Sequence, residues 1–349
     1  CQTCKKYSLE GLKSNYVQCD KCDSWNHMQC AVGFQEEDPN AAWLCQLCIN
    51  FENNNSSEVA IGLENRGNFC FANSVLQMMK YTLQLHSGIM TESLDSSKII
   101  TKEYIKLMKV MNNSQGRTEI ASAENLLKVF SKVQNSPQFN GASQEDASEF
   151  LFDMVLSLDR EGILKMKEKL TGQLTTTMIC TTCNTPAQGQ YNDFNCLTLF
   201  LPKRGFKTID DALKKRFRAT SLERTCPTCN SKRAQQREVI NTLPQVLVLQ
   251  MGRFQNSRKK IKTEIHIQNQ IDMSKYVKTT SQTCEYTLKS VINHIGDNID
   301  QGHYNAFVKT ADKQWTAFDD LHVSRIEEEE VFNKAKKSCY LAFFDPSGC

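Results

Sequence analysis

Hydrophobic and polar positions recur with two different periods along this chain, and the period changes from one region to the next. Apolar residues after residue 70 recur at helical spacing, and residues 143–158 carry six on one helical face, namely Ala147, Phe150, Leu151, Met154, Val155 and Leu158. Residues 246–249 form a short apolar run typical of a buried strand, and residues 302–318 alternate with period two. The pattern predicts helices near residues 70–79 and 143–158 and a strand-rich C-terminal third.

The period-two segment predicts a hairpin that brings a histidine close to an acid. If Lys309 pairs with Lys313 across a three-residue loop, His303 lies directly opposite Asp319, with Cβ atoms about 5 Å apart. An acid at that distance holds an imidazole in one tautomer while the other ring nitrogen faces a thiol. The alternatives are Asp320 as the orienting acid, or exposed residues that do not interact.

The charge balance and the apolar runs exclude two classes of partner. The 349 residues carry 42 Lys and Arg against 39 Asp and Glu, a formal net charge of +3. This balance argues against nucleic-acid binding driven by bulk charge. No apolar run approaches the roughly 18 residues of a membrane-spanning helix. We therefore expect neither a membrane nor a direct nucleic-acid partner.

Seven of the 16 cysteines lie in the first 48 residues, together with one histidine. They form four pairs with two-residue gaps, namely Cys1 and Cys4, Cys19 and Cys22, His27 and Cys30, and Cys45 and Cys48. Such a gap lets both side chains reach one zinc ion, so four pairs make two tetrahedral sites. A set of disulfides is the alternative, but a histidine has no place in it.

Two further cysteine pairs, Cys180 with Cys183 and Cys226 with Cys229, flank a strand-like stretch at residues 196–202. Cysteine knuckles at the tips of two hairpins can close one structural zinc site across a long loop. A redox-active role is the weaker alternative, because neither pair lies in a thioredoxin-like βαβ pattern. The sequence thus predicts three structural zinc ions and no catalytic metal.

The N-terminal ligand order of four Cys, one His and three Cys, with Trp43 two residues before Cys45, resembles the PHD finger family. The resemblance implies a cross-braced finger at residues 1–48, with Cys1, Cys4, His27 and Cys30 on one zinc and Cys19, Cys22, Cys45 and Cys48 on the other. Some PHD fingers enclose methyl-lysine in an aromatic cage. Tyr16 and Trp25, and more loosely Tyr7, are the candidates for binding a histone tail. A finger that binds no tail and only packs against the rest of the chain and stabilises it is the alternative.

Cys70 is the candidate nucleophile. Gly67 and Asn68 predict a loop just before the helical pattern, so Cys70 is expected at a helix N-terminus. The helix dipole and the unpaired N–H groups favour the thiolate there. A buried structural cysteine is the alternative.

Four segments, in this order, resemble those of the ubiquitin-specific proteases. The cysteine box contains Gly62, Leu63, Asn65, Gly67, Asn68, Cys70, Asn73 and Ser74, and Phe69 stands where the family usually has Thr. The second box contains Gln144, Asp146, Ala147, Glu149 and Phe150. The zinc knuckles at 180–183 and 226–229 come third. The histidine box contains Gly302, His303, Tyr304, Trp315, Phe318, Asp319 and Asp320.

This resemblance implies an α+β, papain-like cysteine protease fold at residues 61–349, after a linker at 49–60. It implies a helical thumb at 61–170, zinc-bearing β fingers at 171–240 and a β palm at 241–349. Cys70 would attack the carbonyl of ubiquitin's C-terminal Gly and Asn65 would stabilise the oxyanion. His303, oriented by Asp319, would shuttle protons.

The function predicted from these features is that of a deubiquitinating thiol hydrolase in a reducing intracellular compartment. If the PHD finger directs the chain to chromatin, the nucleus is favoured over the cytoplasm. The expected partners are ubiquitin, ubiquitinated proteins and a histone tail. Two alternatives are a catalytically weak scaffold that binds ubiquitin or histones, and a protease for another ubiquitin-like modifier.

Overall fold

The computed structural model describes residues 60–90, 96–112, 120–163, 166–201, 208–254, 259–278, 284–299 and 301–347, with the backbone of 16–18 and 25–27. The helices in these ranges are α1 Cys70–Tyr81, α2 Leu83–Met90, α3 Ile99–Asn112, α4 Glu124–Val133, α5 Ala147–Arg160, α6 Met166–Leu170, α7 Ile209–Arg216 and α8 Glu328–Ser338. Among these described helices, none combines the length and the apolar composition needed to cross a membrane.

The strands in the described ranges form three sheets. They are β1 Tyr16–Gln18, β2 Trp25–His27, β3 Gly172–Cys180, β4 Pro186–Phe194, β5 Leu197–Phe200, β6 Thr220–Glu223, β7 Arg233–Thr242, β8 Leu247–Gly252, β9 Gln270–Asp272, β10 Glu285–Ile295, β11 His303–Lys309, β12 Trp315–Asp319, β13 His322–Arg325 and β14 Cys339–Pro346. Strands β1 and β2 pair with each other in an antiparallel ladder.

Helix α1 is the central element of the helical region. Every residue from 70 to 80 is buried, as expected for a helix that packs against neighbours on all sides. It contacts helix α5 on one side and strands β10, β11 and β12 of the large sheet on another. Phe71 on α1 packs edge-on against Phe150 on α5, with ring centroids 5.5 Å apart. This packing fixes the N-terminal end of α1 relative to the large sheet.

The large sheet has eight strands in the order β13-β12-β11-β10-β14-β8-β5, with β9 added beside β10. Its ladders are antiparallel except the one between β5 and β8, which is parallel. Strand β5 lies within the span predicted as fingers, but its Leu197 and Leu199 are buried in the core of the large sheet together with Leu249. The mixture of a helical layer and antiparallel sheets is the predicted α+β class.

A separate four-stranded sheet has the order β4-β3-β7-β6. Strands β3, β4 and β7 have 9, 9 and 10 residues, β6 has 4, and Cys180 is the last residue of β3. The turn between β3 and β4 and the loop between β6 and β7 carry the remaining three cysteines of the predicted knuckles. The sheet therefore brings the two knuckles to the same end.

Arg253 joins several segments beneath the large sheet. Its guanidinium is fully buried and donates four hydrogen bonds to backbone carbonyl oxygens, from Nε to Cys339 at 2.7 Å, from Nη1 to Ile261 and Thr263 at 3.0 and 2.9 Å, and from Nη2 to Lys336 at 3.1 Å. Burial lowers the pKa of Arg253. The planar fork of donors satisfies four carbonyls at once, which links the 261–263 segment to the junction of α8 and β14.

Replacing Arg253 with Met should lower the free energy of unfolding by about 3 kcal/mol, because the substitution leaves several buried carbonyls without donors. Chemical denaturation of the variant and the parent measures this difference. The matched control is Arg218→Met, since Arg218 is exposed. Equal losses in the two variants would contradict the role given to Arg253.

Candidate active site and cysteine cluster

Cys70 is the first residue of helix α1, as the sequence predicts, and is 3% exposed. Phe69 occupies the N-cap position and provides no side-chain cap, and the first turn contains no acidic residue. The uncapped N–H groups and the positive end of the helix dipole therefore face the thiol. The Gln144 amide nitrogen Nε2 lies 3.5 Å from Cys70 Sγ, which adds a side-chain donor.

His303 begins strand β11 and contacts both an acid and the thiol. Its Nε2 forms a short hydrogen bond with Asp319 Oδ1. The pKa of His303 is raised to about 9, chiefly by its hydrogen bond with Cys70 and also by that with Asp319, while burial opposes the rise. The protonated form of His303 is thus stabilised by the two side chains with which it hydrogen-bonds. Three of the four predicted catalytic residues form one chain of contacts.

The hairpin has a different register from the predicted one. Lys309 pairs with Trp315 and Ala306 with Phe318, so the predicted pairing of Lys309 with Lys313 is wrong. The loop lies one residue later, at 311–313, where Thr310 N donates to Gln314 O at 3.0 Å and Lys313 has φ 63°.

This shift moves Asp319 off the position directly opposite His303 but leaves it on the same face, because the side-chain period of a strand is two. The two side chains meet diagonally, a geometry that long side chains can span. The predicted contact therefore survives the error in register.

Asn65 and Asp320 form a second group beside the thiol. Asn65 Nδ2 donates to Asp320 Oδ2 at 2.8 Å, and Asn65 Oδ1 accepts from Phe69 N at 3.0 Å and Gly67 N at 3.3 Å. Asn73 Nδ2 donates to Asp320 Oδ1 at 2.7 Å. Asp320, the alternative orienting acid, thus holds the Asn65 amide, while Asp319 is the acid that contacts the imidazole.

The sequence patterns assign no role to Gln144 or Asn73, and they indicate Asp320 only as an alternative acid for orienting His303. Gln144 and Asn73 lie in the two boxes that carry the family resemblance, and this location is the signal that could have identified them. The contact of Asp320 with both asparagines depends on a turn that follows β12, where Asp320 has φ 51°. No local pattern predicts that contact, because its partners lie far away in the sequence.

Cys180, Cys183, Cys226 and Cys229 are brought together as predicted. Their sulfur atoms all lie within 4.8 Å of one another, with 3.7 Å between Cys180 and Cys229 and 3.5 Å between Cys183 and Cys226. Four sulfurs bound tetrahedrally at about 2.3 Å from one ion lie about 3.8 Å apart. The cluster is therefore compatible with zinc.

The two cysteine knuckles share the same backbone construction. Asn184 N donates to Cys180 O at 3.0 Å, and Asn230 N donates to Cys226 O at 2.9 Å. Both asparagines have φ 58°, a left-handed conformation that Asn tolerates. Backbone N–H groups of the second cysteine in each knuckle lower the pKa of Cys180 and of Cys226. An Asn directly after each second cysteine was the sequence signal for these turns.

Most of the predicted N-terminal sites lie outside the described residues. This holds for Cys1, Cys4, Cys19, Cys22, Cys30, Cys45, Cys48 and Tyr7. Only the backbone is described for Tyr16, Trp25 and His27, with Tyr16 opposite His27 and Trp25 opposite Gln18 in the β1-β2 ladder. The zinc and tail-binding assignments of this segment stay predictions.

Comparison with known proteins identifies relatives of both parts of the chain. The PHD-finger family model matches residues 1–48. Ubiquitin carboxyl-terminal hydrolase 20 of Arabidopsis thaliana is 26% identical over 310 residues, covering 83% of this chain but 44% of that protein. Ubiquitin carboxyl-terminal hydrolase 8 of Saccharomyces cerevisiae is 24% identical, covering 99% of this chain and 89% of that protein. The chain thus spans less than half the length of the Arabidopsis relative.

Solved structures and a second family model agree with these relatives. The SAGA DUB module Ubp8/Sgf11/Sus1/Sgf73 bound to monoubiquitin contains a chain that matches with a TM-score of 0.72 and 25% identity, over 82% of this chain and 68% of that chain. This similarity confirms the predicted fold. The family model described as ubiquitin carboxyl-terminal hydrolase matches residues 61–344. Because that model covers most of the sequence, the chain belongs to the ubiquitin carboxyl-terminal hydrolase family.

Proposed function

We propose that this chain is a cysteine-type deubiquitinase that hydrolyses the bond after the C-terminal Gly of ubiquitin on conjugated proteins. The observation that carries the proposal is the contact of Cys70 with His303 and of His303 with Asp319. These contacts lie within the span matched by the ubiquitin carboxyl-terminal hydrolase model. Relatives named ubiquitin carboxyl-terminal hydrolases support the same activity.

The first half-reaction uses the thiolate and the imidazolium in turn. Cys70 Sγ attacks the carbonyl carbon of ubiquitin's C-terminal Gly and forms a tetrahedral intermediate. The C–N bond then breaks as His303 gives its proton to the departing amine. A thioester between Cys70 and ubiquitin remains. Because Asp319 binds Nε2 of His303, the other ring nitrogen carries the proton that is transferred.

The second half-reaction regenerates the enzyme. Neutral His303 takes a proton from water, and the hydroxide attacks the thioester carbonyl. The C–S bond breaks, ubiquitin leaves with a free carboxyl group that loses its proton to solvent, and Cys70 remains as the thiolate beside the imidazolium. The first half-reaction consumes the ion pair of thiolate and imidazolium, and the second restores it.

Asn65 is proposed to stabilise the oxyanion in both half-reactions. Its amide donates to Asp320, and a primary amide has a second N–H that is available to a developing negative charge. The hydrogen bonds from Phe69 N and Gly67 N to Asn65 Oδ1 fix the plane of the amide. A fixed donor of this kind stabilises a transition state by about 3 kcal/mol.

Zinc is proposed to hold the end of the four-stranded sheet. Cys180, Cys183, Cys226 and Cys229 supply four thiolates, and a bound ion would link the β3-β4 turn to the β6-β7 loop. No reacting group depends on this ion. Two more zinc ions are proposed for the PHD finger, which gives three in the chain.

The PHD finger is proposed to bind a histone tail and so to bring the protease to chromatin in the nucleus. The match of residues 1–48 to the PHD family supports the finger, and the aromatics Tyr7, Tyr16 and Trp25 support a cage for methyl-lysine. Tethering would raise the local concentration of ubiquitin on the same nucleosome.

Cys70→Ala should abolish hydrolysis of a fluorogenic ubiquitin C-terminal amide, because the attacking atom is removed. His303→Ala should lower kcat by about a thousandfold, since general acid-base catalysis is lost. Cys284→Ala serves as the control that keeps the parent rate. Turnover by Cys70→Ala would refute the assignment, and a related modifier hydrolysed faster than ubiquitin would reassign the substrate.

The pH profile of kcat/KM should stay high up to about pH 9 and fall above it, because the pKa of His303 is raised to about 9 and its proton is needed by the leaving amine. Asp319→Ala removes one cause of that rise, so the falling limb should move to lower pH. Asp320→Ala should lower kcat less than Asp319→Ala and leave the limb in place. A falling limb at the same pH in Asp319→Ala and in the parent would contradict the role of Asp319 as the acid that orients His303.

Cys226→Ser should reduce the zinc content from three ions per chain to two, because three thiolates hold the ion less well than four. Loosening of the fingers should raise KM for the ubiquitin amide while the catalytic residues remain in place. Elemental analysis and steady-state kinetics measure the two effects, with Cys284→Ser as the control. Unchanged zinc content would contradict the proposed site.

Trp25→Ala should slow release of ubiquitin from nucleosomes but leave hydrolysis of the free ubiquitin amide unchanged, since remote capture cannot act on a soluble substrate. Parallel assays on the two substrates measure this difference. Equal slowing of both, or no binding of histone peptides to the chain, would rule out the reader role.

A further inference from the structure

The ring of Phe69 occupies space that only a glycine at position 141 leaves open. Phe69 is 6% exposed. A Cβ atom built on Gly141 would lie 1.8 Å from Phe69 Cε1 and 2.5 Å from Cζ, far inside van der Waals contact. Gly141 also has φ +83°, a conformation that L side chains rarely adopt. The ring of Phe69 can therefore occupy this position only if residue 141 has no side chain.

Asn68, the residue before Phe69, also forms hydrogen bonds with the turn that contains Gly141. Asn68 N donates to Gly141 O at 3.1 Å, and Asn68 Nδ2 lies 3.2 Å from Ala142 O and 3.4 Å from Gly141 O. Gly67 packs on the same peptide, since a Cβ there would lie 2.9 Å from Gly141 O. Residues 67–69 and the turn at 141–142 are therefore held together by both packing and polar contacts.

Each of these segments leads directly into the active site. Phe69 precedes Cys70, and its N–H donates to Asn65 Oδ1 at 3.0 Å. Gly141 lies three residues before Gln144, whose amide nitrogen is 3.5 Å from Cys70 Sγ. Movement of the ring away from Gly141 would loosen the residues that flank the sulfur on both sides.

We propose that Phe69 is a positioning residue, whose packing on Gly141 holds Cys70 and Asn65 in the orientation required for attack. The inference rests on the proposed hydrolase function. It gives a physical role to one position at which this chain departs from the family, since a Thr has no ring to fill the space above Gly141. Small displacements of reacting groups are costly in rate, so the contact acts on kcat and leaves ubiquitin binding unaffected.

The test compares Phe69→Thr, Gly141→Ala and the double variant in steady-state hydrolysis of a fluorogenic ubiquitin amide. Phe69→Thr should lower kcat about tenfold with KM changed by less than about twofold, because orientation is lost and binding is kept. Gly141→Ala should lower kcat further, since its methyl group meets the ring. The double variant should recover the part of that additional loss that the ring contact causes, because Thr leaves room for the methyl group, while the strain of an alanine at φ +83° remains.

The matched control is Phe217→Thr. Phe217 is 8% exposed, belongs to a different hydrophobic cluster from Phe69, and stacks on Tyr276 at 4.8 Å. The Phe217→Thr substitution should lower the melting temperature while kcat stays at the parent value. An unchanged kcat in Phe69→Thr, an equal loss in Phe217→Thr, or losses that simply multiply in the double variant would overturn the proposal.

A substrate-free readout separates this inference from the proposed function. The rate of iodoacetamide alkylation at Cys70, followed by mass spectrometry of its peptide, should fall in Phe69→Thr and stay unchanged in Phe217→Thr. If the parent hydrolyses no ubiquitin amide, the proposed function fails and the alkylation rate alone decides the role of Phe69. Equal alkylation rates in parent and Phe69→Thr would overturn that role.

Discussion

The packing of helix α1 against strand β11 is the constraint on which the active site depends. Cys70 begins the helix and His303 begins the strand, so neither element can bring the two side chains together alone. A helix buried along residues 70–80 has almost no freedom to rotate or slide. The contact between thiol and imidazole is thus set by the same packing that forms the core between helices and sheet.

Two consecutive acids at the end of β12 position different catalytic groups, since Asp319 is the last residue of the strand and Asp320 follows it. Asp319 contacts the imidazole, and Asp320 accepts hydrogen bonds from Asn65 and Asn73. Leu63 N also donates to Asp320 O at 3.0 Å, which binds the segment before the nucleophile to the same turn. One turn of the sheet therefore orients both the base and the proposed oxyanion donor. A change in its backbone would disturb both at once.

Sequence periodicity could predict helix α1, the hairpin and Asp319 as the acid that contacts His303, because these depend on side-chain spacing within a short continuous segment. It could not predict the hairpin register. The loop is fixed by Asp312, whose side chain accepts from Thr310 Oγ1 at 2.8 Å, and by Arg325 Nη1, which donates to Thr310 Oγ1 at 3.0 Å from strand β13. The hydrogen bonds of Asp320 with Asn65 and Asn73 could not be predicted either, because these partners lie on other elements.

The most direct test of the account uses ubiquitin that carries an electrophile at its C-terminus. If helix α1 and strand β11 assemble a reactive thiolate next to the path of that C-terminus, the probe should form one covalent adduct with the intact chain. Peptide mass mapping should locate the bond at Cys70, and His303→Ala should slow its formation. An adduct on another cysteine, or none with the parent chain, would contradict the account.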